Sequence, residues 1–134
     1  MPAKTSISPM LSVRRGAKAV EFYKKAFGAR ALFCVDNEAG EVVAHLAVGE
    51  AEFWVADESP EHKNFSLESR GAEFRGGATV RMVLVVEDPE AFFKTALDAG
   101  AALVWPVAEQ GCGWRAGRLV DPFGHHWEIG RPRK

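Results

Sequence analysis

The stretch "AVEFYKKAFGARAL" (residues 19–32) returns in altered form as "PEAFFKTALDAGAALV" (89–104). Setting Phe22 on Phe92 matches Tyr23 to Phe93, Lys24 to Lys94 and Ala26 to Ala96, about 70 residues later. Self-similarity at a fixed spacing marks a duplicated structural unit. An apolar strand precedes each copy, "SISPMLSV" (6–13) in one case and "TVRMVLVVE" (79–87) in the other. After the first helix come "ALFCVD", "EVVAHLAV" and "EAEFWVAD"; after the second come "AALVWPV", "WRAGRLVD" and "HHWEIG". The plan is an α+β fold of two βαβββ modules, at about 5–57 and 79–131, in a single domain spanning 1–134. The polar, glycine-rich segment 58–78 reads as a linker, long and partly mobile.

The helix ends are unequally marked. Asp88 can cap the second helix by accepting from the free N–H groups of its first turn, Pro89 suits the first helical position, and Gly100 suits the exit. The first helix has no capping side chain after "VRRG", so its start is open, and Gly28 is its expected stop.

"DPFG" (121–124) has the chemistry of a type I turn, with Gly124 in the left-handed position. A one-residue bulge at Gly124 would pair Asp121 with His125 and place Val120 opposite His126, Leu119 opposite Trp127 and Arg118 opposite Glu128. Side chains alternate along a strand. Leu119, Trp127 and Ile129 therefore share an apolar face that packs on a helix, while Arg118, Val120, His126 and Glu128 share the other. The adjacent histidines point opposite ways, and His125 reads as a turn residue.

The same alternation, applied to the other strands, assigns Ile7, Leu11, Val13, Val42, Leu46, Val48, Phe53, Val55, Met82, Leu84 and Val86 to the core. It leaves Ser8, His45, Trp54, Arg81, Arg118, His126 and Glu128 on the opposite faces. If those faces converge, the curved mixed sheet encloses a cup lined by these seven residues. His45 fits the cup and a sheet edge equally well. Trp54 and Trp114 can pack or can offer a ring surface to a ligand, and Trp105, beside Pro106, reads as core or interface.

With 17 Lys and Arg against 18 Asp and Glu, interspersed, the net charge is −1 and no basic block stands out. Nucleic acid and anionic membranes are poor partners for such a surface. No apolar run approaches the ~20 residues of a spanning helix, and "MPAKTSISPM" has no signal-peptide core, which gives a cytoplasmic expectation. Cys34 and Cys112 are far apart without a CxxC, as expected of free thiols in that compartment.

The duplicated plan, "AVEFYKKAFGA" after a first strand and "GRLVDPFGHHWEI" near the end resemble the vicinal oxygen chelate superfamily, which includes glyoxalase I, bleomycin-resistance proteins, fosfomycin-resistance proteins and extradiol dioxygenases. The long inter-module segment and "RLVDPFGHHWEIG" look most like its PhnB-like branch. The resemblance covers nearly the whole chain and implies a homodimer with cups built between paired modules. It also implies four metal-ligand positions. These fall on Ser8, on or near Trp54, on Arg81 and on Glu128, of which Glu128 alone is a good ligand. Arginine stays charged and has no lone pair to give, and tryptophan is no ligand.

The expectation for function is a small-molecule-binding protein of the glyoxalase/bleomycin-resistance type without the usual metal and without a cofactor. Its site would hold Ser8, His45, Trp54, Arg81, Trp114, Arg118, His126 and Glu128. Two arginines near one sure carboxylate favour an anionic ligand with an apolar or aromatic body. The alternative is a metal-dependent lyase or glyoxalase-like enzyme using Glu128 with a rearranged ligand set.

Overall fold

The computed structural model describes residues 4–59, 65–69, 79–111 and 113–133. The first module runs β1 (Met10–Val13), α1 (Gly16–Phe27), β2 (Arg30–Asp36), β3 (Val42–Val48) and β4 (Ala51–Asp57). The second runs β5 (Arg81–Val85), α2 (Pro89–Asp98), β6 (Ala102–Glu109), β7 (Trp114–Val120) and β8 (His126–Pro132). Each module folds into a four-stranded sheet, ordered β1-β4-β3-β2 and β5-β8-β7-β6. In both, the first strand lies parallel to the last and the remaining pairs are antiparallel. The duplication read from the helices thus carries through the whole topology. Within the segment expected to be a linker, Leu67–Ser69 forms one 3-10 turn; the expectation of mobility falls on residues outside the described ones.

The two helices are held by different means. Asp88 accepts from the Ala91 N–H at 3.2 Å, with Pro89 at the first helical position. Helix α1 has no capping side chain of its own, but Asp57 at the end of β4 accepts from the Gly16 N–H at 2.9 Å and the Val42 N–H at 2.7 Å. A cap supplied from 41 residues away is invisible to a local reading. Gly28 ends α1 in the left-handed conformation, at φ 67°.

One core serves both modules. Tyr23 and Phe27 of α1, Phe53 of β4 and Trp127 of β8 form a chain of ring contacts with centroids 4.7 to 5.8 Å apart. Phe27 stacks on Phe92 of α2 at 5.5 Å. The repeat equivalents Tyr23 and Phe93, and Ala26 and Ala96, are all buried. The helix-covered faces of the two sheets therefore close on each other, and the opposite face of each sheet looks outward.

The first strand is shorter than expected. Pro9 has no N–H to add to a ladder, and pairing begins where its carbonyl accepts from Trp54 N–H at 2.8 Å. Ile7, expected in the core, is 98% exposed, and Ser8 precedes the strand and is exposed too. Val48, Met82 and Val86 are only partly buried, at the margin of the core.

Candidate functional site

The turn that sets the last hairpin has the expected form. The Gly124 N–H donates to the Asp121 carbonyl at 3.1 Å, the Asp121 N–H donates to the His125 carbonyl at 2.9 Å, and Gly124 has φ 94°. The register follows: Arg118 faces Glu128, Leu119 faces Trp127 and Val120 faces His126. Leu119, Trp127 and Ile129 are buried in the core, so Arg118, His126 and Glu128 lie on the outward face. His125 points the other way, its Nε2 3.0 Å from the Ser12 carbonyl oxygen.

Asp121 does more than turn the chain. Its buried carboxylate accepts from the Phe123 and His125 N–H groups at 2.9 and 3.0 Å, from Trp127 Nε1 at 2.9 Å and from the Tyr23 hydroxyl. Burial, and then the Asp121 charge, hold the Tyr23 phenol well above its usual pKa. It stays protonated and remains a donor.

The outward face of the second sheet carries Arg81, Val83 and Val85 from β5, His126 and Glu128 from β8, and Arg118 and Val120 from β7. Arg81 Nε stands 3.5 Å from Glu128 Oε1. Arg118 makes no hydrogen bond or ion pair among the described residues, and its Nε is buried without a partner. His126 is 7% exposed, and its Nδ1 is likewise buried and unpaired. Burial, and then the neighbouring Arg118 charge, push the His126 imidazole below its usual pKa, which favours the neutral ring.

The outward face of the first sheet is aromatic. His45 stacks on Trp54 with ring centroids 4.1 Å apart and planes 3° from parallel, and Phe33 meets Trp54 edge-on at 6.2 Å. One side of Trp54 is thus already covered by an imidazole. His45 Nε2 lies 2.9 Å from Glu52 Oε1, close but off the line of a hydrogen bond. Met10, Phe33, Val35 and Val43 leave much of their surface exposed around them.

Seven residues were expected around one cup. Within one chain the structure gathers them into two sets on separate sheets: His45 with Trp54, and Arg81 and Arg118 with His126 and Glu128. Among the described residues no hydrogen bond, ion pair or ring contact joins the sets, because the shared core lies between the sheets. Ser8 joins neither. Trp114 pairs with Pro132 at the far end of β7, four residues and roughly 13 Å from Arg118 at the rise of an extended strand. Trp105, expected in the core or an interface, pairs with Arg118 and lies on the outward face. Two irregularities in β6 flank it, and Pro106, a residue that sheets tolerate only at edges and bulges, is the one sign of them in the sequence.

The four implied ligand positions do not suit a metal in this chain. Ser8 is out of the sheet, Trp54 is covered by His45, Arg81 is a cation, and the Glu128 carboxylate is held by that cation. Among the described residues no three His, Cys, Asp or Glu side chains converge as ligands.

The profile of the Glyoxalase/Bleomycin resistance protein/Dioxygenase superfamily matches residues 7–129. The chain belongs to this superfamily. An uncharacterized protein of Mycobacterium bovis is 37% identical over 128 residues, covering 95% of this chain and 83% of that one. Among solved structures, a gene product of Arabidopsis thaliana is 28% identical with a TM-score of 0.67, covering 96% of this chain and 98% of that one. TioX from Micromonospora sp. ML1 is 24% identical with a TM-score of 0.72, covering 96% and 99%. A mutant of the fosfomycin resistance protein FosX from Listeria monocytogenes, complexed with Mn(II) and dihydroxypropylphosphonic acid, is 14% identical with a TM-score of 0.68, covering 97% and 92%. At such identities the last two speak for the glyoxalase/bleomycin-resistance fold alone, a scaffold that hosts unrelated chemistries. No helix among the described residues is long and apolar enough to cross a membrane.

Proposed function

We propose that this superfamily member binds a small organic anion, without a metal or cofactor, on the outward face of its second sheet. The observation that carries the reading is Arg118: a permanent cation, part-buried, with no partner among the described residues. An unpaired guanidinium in such a place is costly, and a bound anion relieves the cost. Val120, two positions along β7, and Val83 and Val85, across β8 on β5, suit an apolar body on the ligand. The test is calorimetry with a panel of small carboxylates and phosphonates. Saturable binding that is lost in Arg118→Gln supports the reading; equal affinity in that variant removes it.

The active assembly in this proposal is a homodimer. Each sheet exposes a face with large apolar residues, and the faces differ in charge: Glu52 on the first, and on the second Arg118 beside the paired Arg81 and Glu128. Seating the first sheet of one copy on the second sheet of another covers both faces, and the contact repeats reciprocally to close a pair. His45 and Trp54 of one copy would then complete the wall opposite Arg118, His126 and Glu128 of the other. A monomeric mass by light scattering at micromolar concentration counts against the pair. A sharper test mixes Trp54→Ala with Arg118→Gln protein, since exchange of subunits restores one intact site per dimer.

The second reading is a metal-dependent lyase or glyoxalase-like enzyme with Glu128 as a ligand. It requires Glu128 to leave Arg81, and stoichiometric metal in protein purified without chelators would favour it. The long inter-module segment and the closing "RLVDPFGHHWEIG" support a place in the PhnB-like branch.

A further inference from the structure

Strand β6 starts with its side chains in ordinary alternation. Leu103 pairs with Leu119, which is fully buried on the helix side. Two residues on, Trp105 would share that side. The register shifts between them, however, and Trp105 takes Arg118, an outward-facing residue, as its partner. The register shifts again before Ala108, and Val107 packs against the core. Two breaks in the register thus bracket Trp105 and give it an outward-facing partner, Arg118, in place of the helix-side partner that regular pairing would give. Bulges re-aim single side chains and gather beside functional sites. Here the re-aimed residue is a half-buried tryptophan next to the arginine that lacks a partner.

We propose that Trp105, Arg118 and His126 form a recognition subsite for a planar aromatic carboxylate. Trp105 offers the ring face, Arg118 takes the acid through its two terminal nitrogens, and His126 supplies an unpaired polar atom, Nδ1, on the adjoining strand. Guanidinium and carboxylate match as planar two-pronged partners. Paired residues on neighbouring strands have their β-carbons only ~5 Å apart. A ligand that carries its acid close to its ring can therefore reach both side chains at once. Arg81 is not the reader, because Glu128 holds it at 3.5 Å. The inference rests on the anion-binding reading of this face. It does not need the second copy, since all three residues lie on one sheet of one chain.

The probe is 2-naphthoate, with 2-naphthamide and acetate as controls. Calorimetry gives affinities, and the indole N–H resonance of Trp105, assigned through Trp105→Phe, gives the location. The expected result is a shift of that resonance by naphthoate and binding on the order of 10-fold weaker in Trp105→Leu. Arg118→Gln should weaken it on the order of 10- to 100-fold. Trp105→Phe should keep most of the affinity, and Trp114→Leu all of it. Naphthoate affinity unchanged in Trp105→Leu, or an amide binding as well as the acid, overturns the subsite. If acetate and naphthoate both bind through Arg118 with no response at Trp105, the subsite fails while the anion-binding reading stands. If neither binds, both fail.

Discussion

The hydroxyl of Tyr23, on the helix of the first module, donates to the carboxylate of Asp121, in the last turn of the second. The two residues are 98 positions apart and both are buried. The same carboxylate fixes the turn that aims Arg118, His126 and Glu128 outward. Docking of the modules and the shape of the site therefore share one hydrogen-bonded centre.

Tyr23→Phe removes one donor to that buried carboxylate and leaves the aromatic packing in place. A loss of about 1–3 kcal/mol is expected, as for a buried charged acceptor deprived of a donor. Urea denaturation followed by circular dichroism measures it. A change below experimental error would mean that the contact adds nothing to module docking.

Gly117 of β7 has no room for a side chain against β6 and α2. A β-carbon there would lie 2.7 Å from the Val107 backbone nitrogen and 2.9 Å from a ring carbon of Phe93. Gly117→Ala must push the bulged part of β6 aside, at a cost of about 1–3 kcal/mol by analogy with overpacking. Thermal unfolding reads the loss, and the Trp105 indole resonance should move in the same variant.

His126 makes stability depend on pH. Burial and the Arg118 charge lower its pKa in the folded chain, while the unfolded chain keeps the ordinary value near 6.5. Below that value the unfolded state binds the proton more readily, so stability falls as pH drops through the two values. Unfolding free energies should decline from pH 7 toward pH 5, and His126→Gln should flatten the decline. An equally steep decline in the variant would assign the effect to other groups.

Glu128 is held by Arg81, and metal binding must compete with that contact. Zn²⁺, Ni²⁺, Co²⁺ and Mn²⁺ are therefore expected to bind weakly, without the defined stoichiometry of a closed site. Arg81→Ala should raise the affinity by freeing the carboxylate. Tight, stoichiometric binding to the unmodified protein, abolished in Glu128→Ala, would favour the enzyme reading instead.

Local rules settled much of this chain in advance. The repeat of "AVEFYKKAFGA" in "PEAFFKTALDAG" carried the βαβββ plan because helix faces and strand alternation are set by neighbours a few residues away. "DPFG" fixed the pairing of Arg118 with Glu128 because turn geometry is decided within five residues. Folding alone decided the rest. The alternation that placed Ile7 in the core had no means of showing where β1 begins, since that depends on β4 as its partner. It could not assign Trp105 to a face, because β6 breaks its regular pairing with β7 on both sides of that residue. That Glu128 takes Arg81 rather than the directly opposed Arg118 depends on rotamers across three strands. His45 and Trp54 stand apart from the arginine face because the two modules bury their helix sides against each other. These outcomes belong to contacts between distant segments, whose energies balance only in the folded whole.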